Sequence, residues 1–119
     1  MSASDHLSAK QFGKYSLTHS SYDVYGDKTT YSHKIEAHYM GKKVGHMDWV
    51  GGVNSRTPNE LSHIEVDPKH RRKGLATAMY NFGKSKDPHL AHAGERTKKG
   101  DAWASSLPDY TRPHTILDE

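Results

Sequence analysis

The 119-residue chain has no cysteine, which excludes a disulfide framework, a thiolate zinc site and a cysteine nucleophile. It is also poor in aliphatic residues. Leu, Ile, Val and Phe together number 17, about 14 percent, below the roughly 20 percent at which disorder becomes a competing reading. Disorder by that route also needs a high net charge, and 17 basic against 14 acidic residues leave only +3. Long apolar runs are missing too. No stretch approaches the roughly 18 apolar residues of a membrane-spanning helix, and the longest candidate, residues 49–53, holds two glycines. Residues 1–10 carry scattered apolar side chains where a secretory signal needs a run of at least about seven. A frayed start and a cytoplasmic location are therefore expected.

Seven Tyr, two Trp and four Met carry apolar surface that the aliphatic count omits. A small, thin core is expected, in one domain spanning residues 1–119, with 1–12 loose and 108–119 as a tail that is either loose or a short edge strand. The pI near 9.1 suits an anionic ligand without naming it.

Residues 15–25 mix Tyr, Leu and Val with Thr and Ser and read as a strand, with Gly26-Asp27 turning the chain. Tyr31, His33, Ile35, Ala37 and Tyr39 alternate with polar residues, the period of a strand with one wet face. Residues 40–43 turn again and 44–50 return antiparallel. The next strand, 60–66, breaks the alternation: Leu61, Ile64 and Val66 share a face only if one extra residue is inserted, which is a β-bulge. Leu75, Ala78, Met79 and Phe82 then fall at i, i+3, i+4 and i+7, a helix ended by Gly83. Residues 89–93 are a short fifth strand. Residues 97–107 are a second helix with Thr97 as N-cap and Pro108 as its stop.

The chemistry converges on residues 60–82, a strand, a basic glycine-containing loop and a helix. Gly74 lets backbone approach a ligand, and the free N–H groups of the first helical turn bind an anion. Lys69, Arg71, Arg72 and Lys73 add positive charge, so a phosphate-bearing ligand is the natural occupant. The competing reading, a nucleic-acid patch, rests on the basic residues alone. His89, His92 and Glu95 have metal-ligand chemistry, but a strand puts the two histidines on opposite faces and no third ligand is indicated, so no metal is expected. Trp49 and Trp103 are expected in the core, with the wall of a ligand pocket as their alternative.

Val66-Asp67-Pro68 followed by Arg71-x-x-Gly74-x-Ala76 resembles motif A of the GCN5-related N-acetyltransferases, the GNAT superfamily, and the short segment from His92 through Arg96, Thr97 and Gly100 to Trp103 is similar to one in small bacterial and phage members. The resemblance covers residues 15–107. It implies an α/β fold with a mostly antiparallel sheet of five to six strands, a bulged fourth strand and two packed helices. It also implies acetyl-CoA as co-substrate and direct transfer of its acetyl group to a primary amine in a ternary complex. The pyrophosphate would be held at Arg71, Arg72, Lys73, Gly74, Ala76 and Thr77, and the pantetheine arm would pair with the backbone of Ile64 and Val66. A backbone N–H beside the thioester would polarise its carbonyl.

By position in the motif Glu60 corresponds to the general base, six residues before Val66, with Glu65 as second candidate and no dedicated base as a third reading. The tyrosine that serves many members as general acid has no evident match, and His92 and Tyr110 stand in for it by position. The N-terminal helices that form one acceptor wall are reduced or absent. Acceptor recognition then falls to loops such as 54–59, or to a second subunit in a homodimer. A catalytically inert CoA-binding module and a nucleic-acid or protein interaction module are the alternatives.

Overall fold

The computed structural model describes residues 6–54 and 56–117. Six strands form one sheet in chain order: β1 (His6–Phe12), β2 (Tyr15–Asp23), β3 (Thr30–Tyr39), β4 (Lys42–Gly52), β5 (Asn59–Val66) and β6 (Leu90–Ala91). The first five are antiparallel neighbours, while β6 lies parallel to β5. A 12-residue helix, α1 (Leu75–Lys86), links β5 to β6, and β7 (Glu95–Thr97), α2 (Lys98–Ser105) and β8 (Thr115–Leu117) follow. The mixed α/β architecture of six strands and two helices is the expected one. No helix among the described residues is long and apolar enough to cross a membrane.

Alternation decides which face of the sheet is covered. Tyr15, Leu17, Ile35, Ala37, Met47, Trp49, Leu61 and Val66 point to one side and form a single buried cluster with Leu75, Met79, Tyr80 and Phe82 of α1. The opposite face carries Thr18, Glu36, Asp48 and Glu65, all exposed or half-buried. The expected bulge is present in β5. Asp48 pairs with His63 and Trp49 with Leu61, so Ser62 is the extra residue and Leu61, Ile64 and Val66 share the core face.

Several expectations are corrected. Of the start expected to fray, residues 6–12 form β1, which pairs with β2 along its whole length and seats Phe12 on Tyr15; residues 1–5 lie outside the described residues. Counting β1, the bulged strand is the fifth. Gly83 does not end α1, which runs to Lys86. A Cβ at Gly83 would lie 2.7 Å from Met47 Cε and 2.8 Å from Leu90 Cδ2, so this glycine serves the close approach of helix to sheet. The strand expected at 89–93 shrinks to two residues, because Asp87 caps the helix and turns the chain directly into β6. The tail takes one of its two expected forms in part, as the short strand β8, parallel to β7. Thr97 is the N-cap of α2 as expected, its Oγ1 accepting from the Gly100 N–H at 3.0 Å.

Candidate active site

The bulge determines where β5 and β6 part. β6 pairs only with Asn59 and Glu60, so beyond the bulge the edge of β5 carries no strand among the described residues. The Asp67 N–H donates to the Val44 carbonyl at 2.8 Å. Asp67 and Glu65 therefore turn their backbone towards β4, and the alternate residues Ile64 and Val66 turn theirs to the open edge. A cleft of about 1210 Å³ lies along that edge, walled on its far side by residues 92–97, α2 and the tail.

Several residues expected at the site meet there. Glu60, Ile64, Glu65, Val66, Arg71, Ala76 and His92 all line the cleft. Arg72, Lys73 and Gly74 stand exposed in the loop next to it, and Thr77 is half-buried. The loop owes its shape to two left-handed residues, Arg72 at φ 61° and Gly74 at φ 78°. Gly74 is the N-cap of α1, and no side chain caps the helix. The donors of its first turn thus form an anion cradle within reach of three basic residues. The Arg71 side chain braces this loop: its Nε donates to the Val66 carbonyl at 2.8 Å. That bond occupies one acceptor of the open edge and leaves the Val66 N–H and both Ile64 groups facing the cleft.

Gly74→Val places a β-branched residue in a left-handed conformation. Space is not the obstacle, since a Cβ there would meet only Phe12 Cζ at 3.6 Å; the dihedral is. With a backbone cost of about 1–3 kcal/mol, the loop is expected to relax out of its cradle. Affinity for acetyl-CoA, the ligand that the motif resemblance implies, should then fall at least about tenfold when read by calorimetry.

At the other end of the cleft, a Glu60 carboxylate oxygen accepts from the Gly94 N–H, while the Gly94 carbonyl receives the His114 and Thr115 N–H groups. Glu60 thus joins the sheet to the tail. Its second oxygen has no hydrogen-bond partner among the described residues. Glu65 lies further along the same face. His46, His63 and His114 also line the cleft, and His63 Nδ1 lies 3.2 Å from Asp48 Oδ1. The described residues contain no group of three or more His, Asp or Glu arranged to hold a metal ion.

The far wall is built by residues that sequence reasoning named only as a short motif. Buried Arg96 donates to the Ala93 carbonyl at 2.7 Å, to Asp101 Oδ1 at 3.0 Å and to Thr111, which ties β7, α2 and the tail together. Its guanidinium also lies over the Tyr110 ring at 5.6 Å, so Tyr110 of the tail packs on Arg96 and does not line the cleft. Trp103 does line the cleft, and its Nε1–H donates to Thr77 Oγ1 at 3.1 Å, joining α2 to α1. Trp49 is fully buried beneath α1. Asp109, which the sequence places in a polar tail, accepts from Tyr80 and Lys84 and lies against His92. His46 and His63 were legible only as outward residues of their strands, and His114 and Asp109 had no signal, because a polar tail has no periodicity.

The fold and the cleft define an α/β protein with a splayed sheet edge that leads into an anion cradle. No family model matches the sequence, and no match is found among curated proteins. Among solved structures, a ribosomal-protein-alanine N-acetyltransferase from Brucella melitensis biovar Abortus 2308 is similar over 67% of this chain and 67% of that chain, at 18% identity and a TM-score of 0.46. So distant a likeness transfers neither activity nor acceptor.

Proposed function

We propose that the chain is an acetyl-CoA-dependent N-acetyltransferase that moves an acetyl group to a primary amine by direct transfer in a ternary complex. One observation carries the reading: the unpaired edge at Ile64 and Val66 runs straight into the uncapped N-terminus of α1 at Gly74. A long ligand with an amide-bearing arm and a pyrophosphate at one end fits that sequence of groups. The motif spanning Val66 to Ala76 supports the same ligand.

Acetyl-CoA supplies the activated thioester. The N–H groups of Gly74, Ala76 and Thr77, with Arg72 and Lys73 beside them, hold its pyrophosphate, and Arg71 keeps that loop against β5. Ile64 and Val66 orient the pantetheine arm by backbone pairing, and a backbone N–H near the bulge polarises the acetyl carbonyl. Glu60 takes the proton of the acceptor amine through its second oxygen, with Glu65 as the alternative. This reading treats the described residues as one cytoplasmic catalytic unit. A homodimer that completes the acceptor wall belongs to it as well.

Acetyl-CoA at a hundredfold excess over its dissociation constant should stabilise the protein by about 2.7 kcal/mol, raising the melting temperature by roughly 10 °C. An unchanged melting temperature removes the CoA reading and leaves the basic loop to a nucleic acid, which salt-dependent retention on DNA or RNA would then reveal. A shift without CoA release across a panel of amines identifies an inert binding module.

A further inference from the structure

Acyl transfer leaves negative charge on the departing CoA sulfur, and a proton donor held beside it speeds the step. His92 lies one residue past the Glu60–Ala91 pair, where β5 and β6 part, and it lines the cleft. Its side chain is 2% exposed. The ring stacks on Tyr80 at 4.6 Å and meets Trp103 edge-on at 5.4 Å, so it has one orientation. Nε2 lies 2.9 Å from Asp109 Oδ1. Burial pushes the Asp109 carboxyl up, but hydrogen bonds from Tyr80, Lys84 and His92 together outweigh it and hold that carboxyl down at about 2. An ionised carboxylate only accepts, so Nε2 carries the hydrogen of that bond. Nδ1 has no hydrogen-bond partner among the described residues.

We infer that Asp109 is a positioning residue that makes His92 the proton donor of the reaction, with Nε2–H fixed on Asp109 and Nδ1 giving its proton to the CoA sulfur. This rests on the acetyltransferase reading above. As the amine nitrogen bonds to the acetyl carbon, the carbon–sulfur bond breaks. The sulfur takes the proton from Nδ1, the amine proton goes to Glu60, and exchange with water returns one proton from Glu60 to His92. Asp109 faces the imidazolium from the tail and offsets its charge. Lys84 of α1 lies 3.0 Å from the same carboxylate and balances it. Tyr80, also on α1, stays protonated, because burial first and then the hydrogen bond and charge of Asp109 push its hydroxyl up; Arg96 opposes this weakly. Tyr80 is therefore a fixed donor to Asp109 and takes no part in the transfer.

The test measures CoA thiol release by the full chain from acetyl-CoA with spermidine, an Nα-blocked lysine and a short peptide with a free N-terminus, as a function of pH. His92→Ala should lower kcat about a hundredfold, leave the KM for acetyl-CoA within about twofold, and recover when imidazole is added. Asp109→Asn should lower kcat about tenfold, and Asp109→Glu should restore part of it. Nitrogen NMR of the free protein should find the neutral His92 ring protonated at Nε2. An Nδ1–H ring, a fully active His92→Ala, or a fully active Asp109→Asn would each overturn the proposal. Because Asp109 also anchors the tail, stabilisation of both variants by acetyl-CoA as large as that of the wild type separates a lost proton donor from a lost fold. A wild type that acetyl-CoA does not stabilise overturns the acetyltransferase reading. One that turns over while His92→Ala keeps pace overturns only the role of His92.

Discussion

Glu60→Gln is expected to lower kcat by about a hundredfold or more while CoA affinity stays unchanged. Loss of a general base costs about 10²–10⁴ in rate, and a hundredfold corresponds to about 2.7 kcal/mol in the barrier. The structure makes the substitution clean. Glu60 has two tasks, accepting the Gly94 N–H and offering a second oxygen to the cleft. The glutamine carbonyl performs the first at the same size, so the link between sheet and tail survives. Only the capacity to take a proton is lost. The cradle at Gly74 lies at the opposite end of β5, which is why CoA binding is untouched. Glu65 shares the cleft, and Glu65→Gln is the comparison: full activity in Glu60→Gln across the pH range, with loss in Glu65→Gln, would move the base to Glu65.

The largest loss of stability is expected from Asp87→Ala. Buried Asp87 accepts from Trp49 Nε1 at 3.0 Å, from Asn59 Nδ2 at 2.8 Å and from the His89 N–H at 3.0 Å. One carboxylate thus fastens the end of α1 to β4, to β5 and to the turn before β6. Alanine leaves two buried side-chain donors without this partner, at about 1–3 kcal/mol each. Part of the Asn59 loss is offset by its contact with the Gly52 carbonyl at 3.3 Å. A net cost of about 3 kcal/mol is expected, lowering the melting temperature by roughly 10 °C. Thermal unfolding followed by circular dichroism checks it, and a change under 0.5 kcal/mol, ordinary for a surface site, would refute it. For a chain with 17 aliphatic and Phe residues in 119, 3 kcal/mol is a large share of the usual 5–15 kcal/mol.

The bulge was legible because strand alternation is rigid. Leu61, Ile64 and Val66 could share a face only by inserting one residue, and Ser62 is that residue. Thr97 was legible because an N-cap is local chemistry. Gly83 misled for a related reason: a glycine after an apolar stripe matches a helix stop, whereas its cause here is the packing of α1 on Met47 of β4 and Leu90 of β6. β1 was missed because His6–Phe12 pairs along the sheet edge with little apolar patterning of its own. Half of the cleft was legible, the half on β5 and the loop before α1. The other half runs from His92 to Ala104, legible only as a short motif, and is completed by His114, Thr115 and Leu117 of a polar tail held in place by Arg96 and by β8. No local pattern announces such long-range bonds.

Amide hydrogen exchange with and without acetyl-CoA tests the central claim most directly. The N–H groups of Ile64 and Val66 face the open edge, and those of Gly74, Ala76 and Thr77 lie in the uncapped turn, so in the free protein they should exchange faster than the paired amides of β3 and β4. Saturating acetyl-CoA should slow these five together and leave β1 and β2 unchanged. Slowing at the helix turn without slowing at Ile64 and Val66, or no slowing at either, would contradict a CoA arm lying along β5.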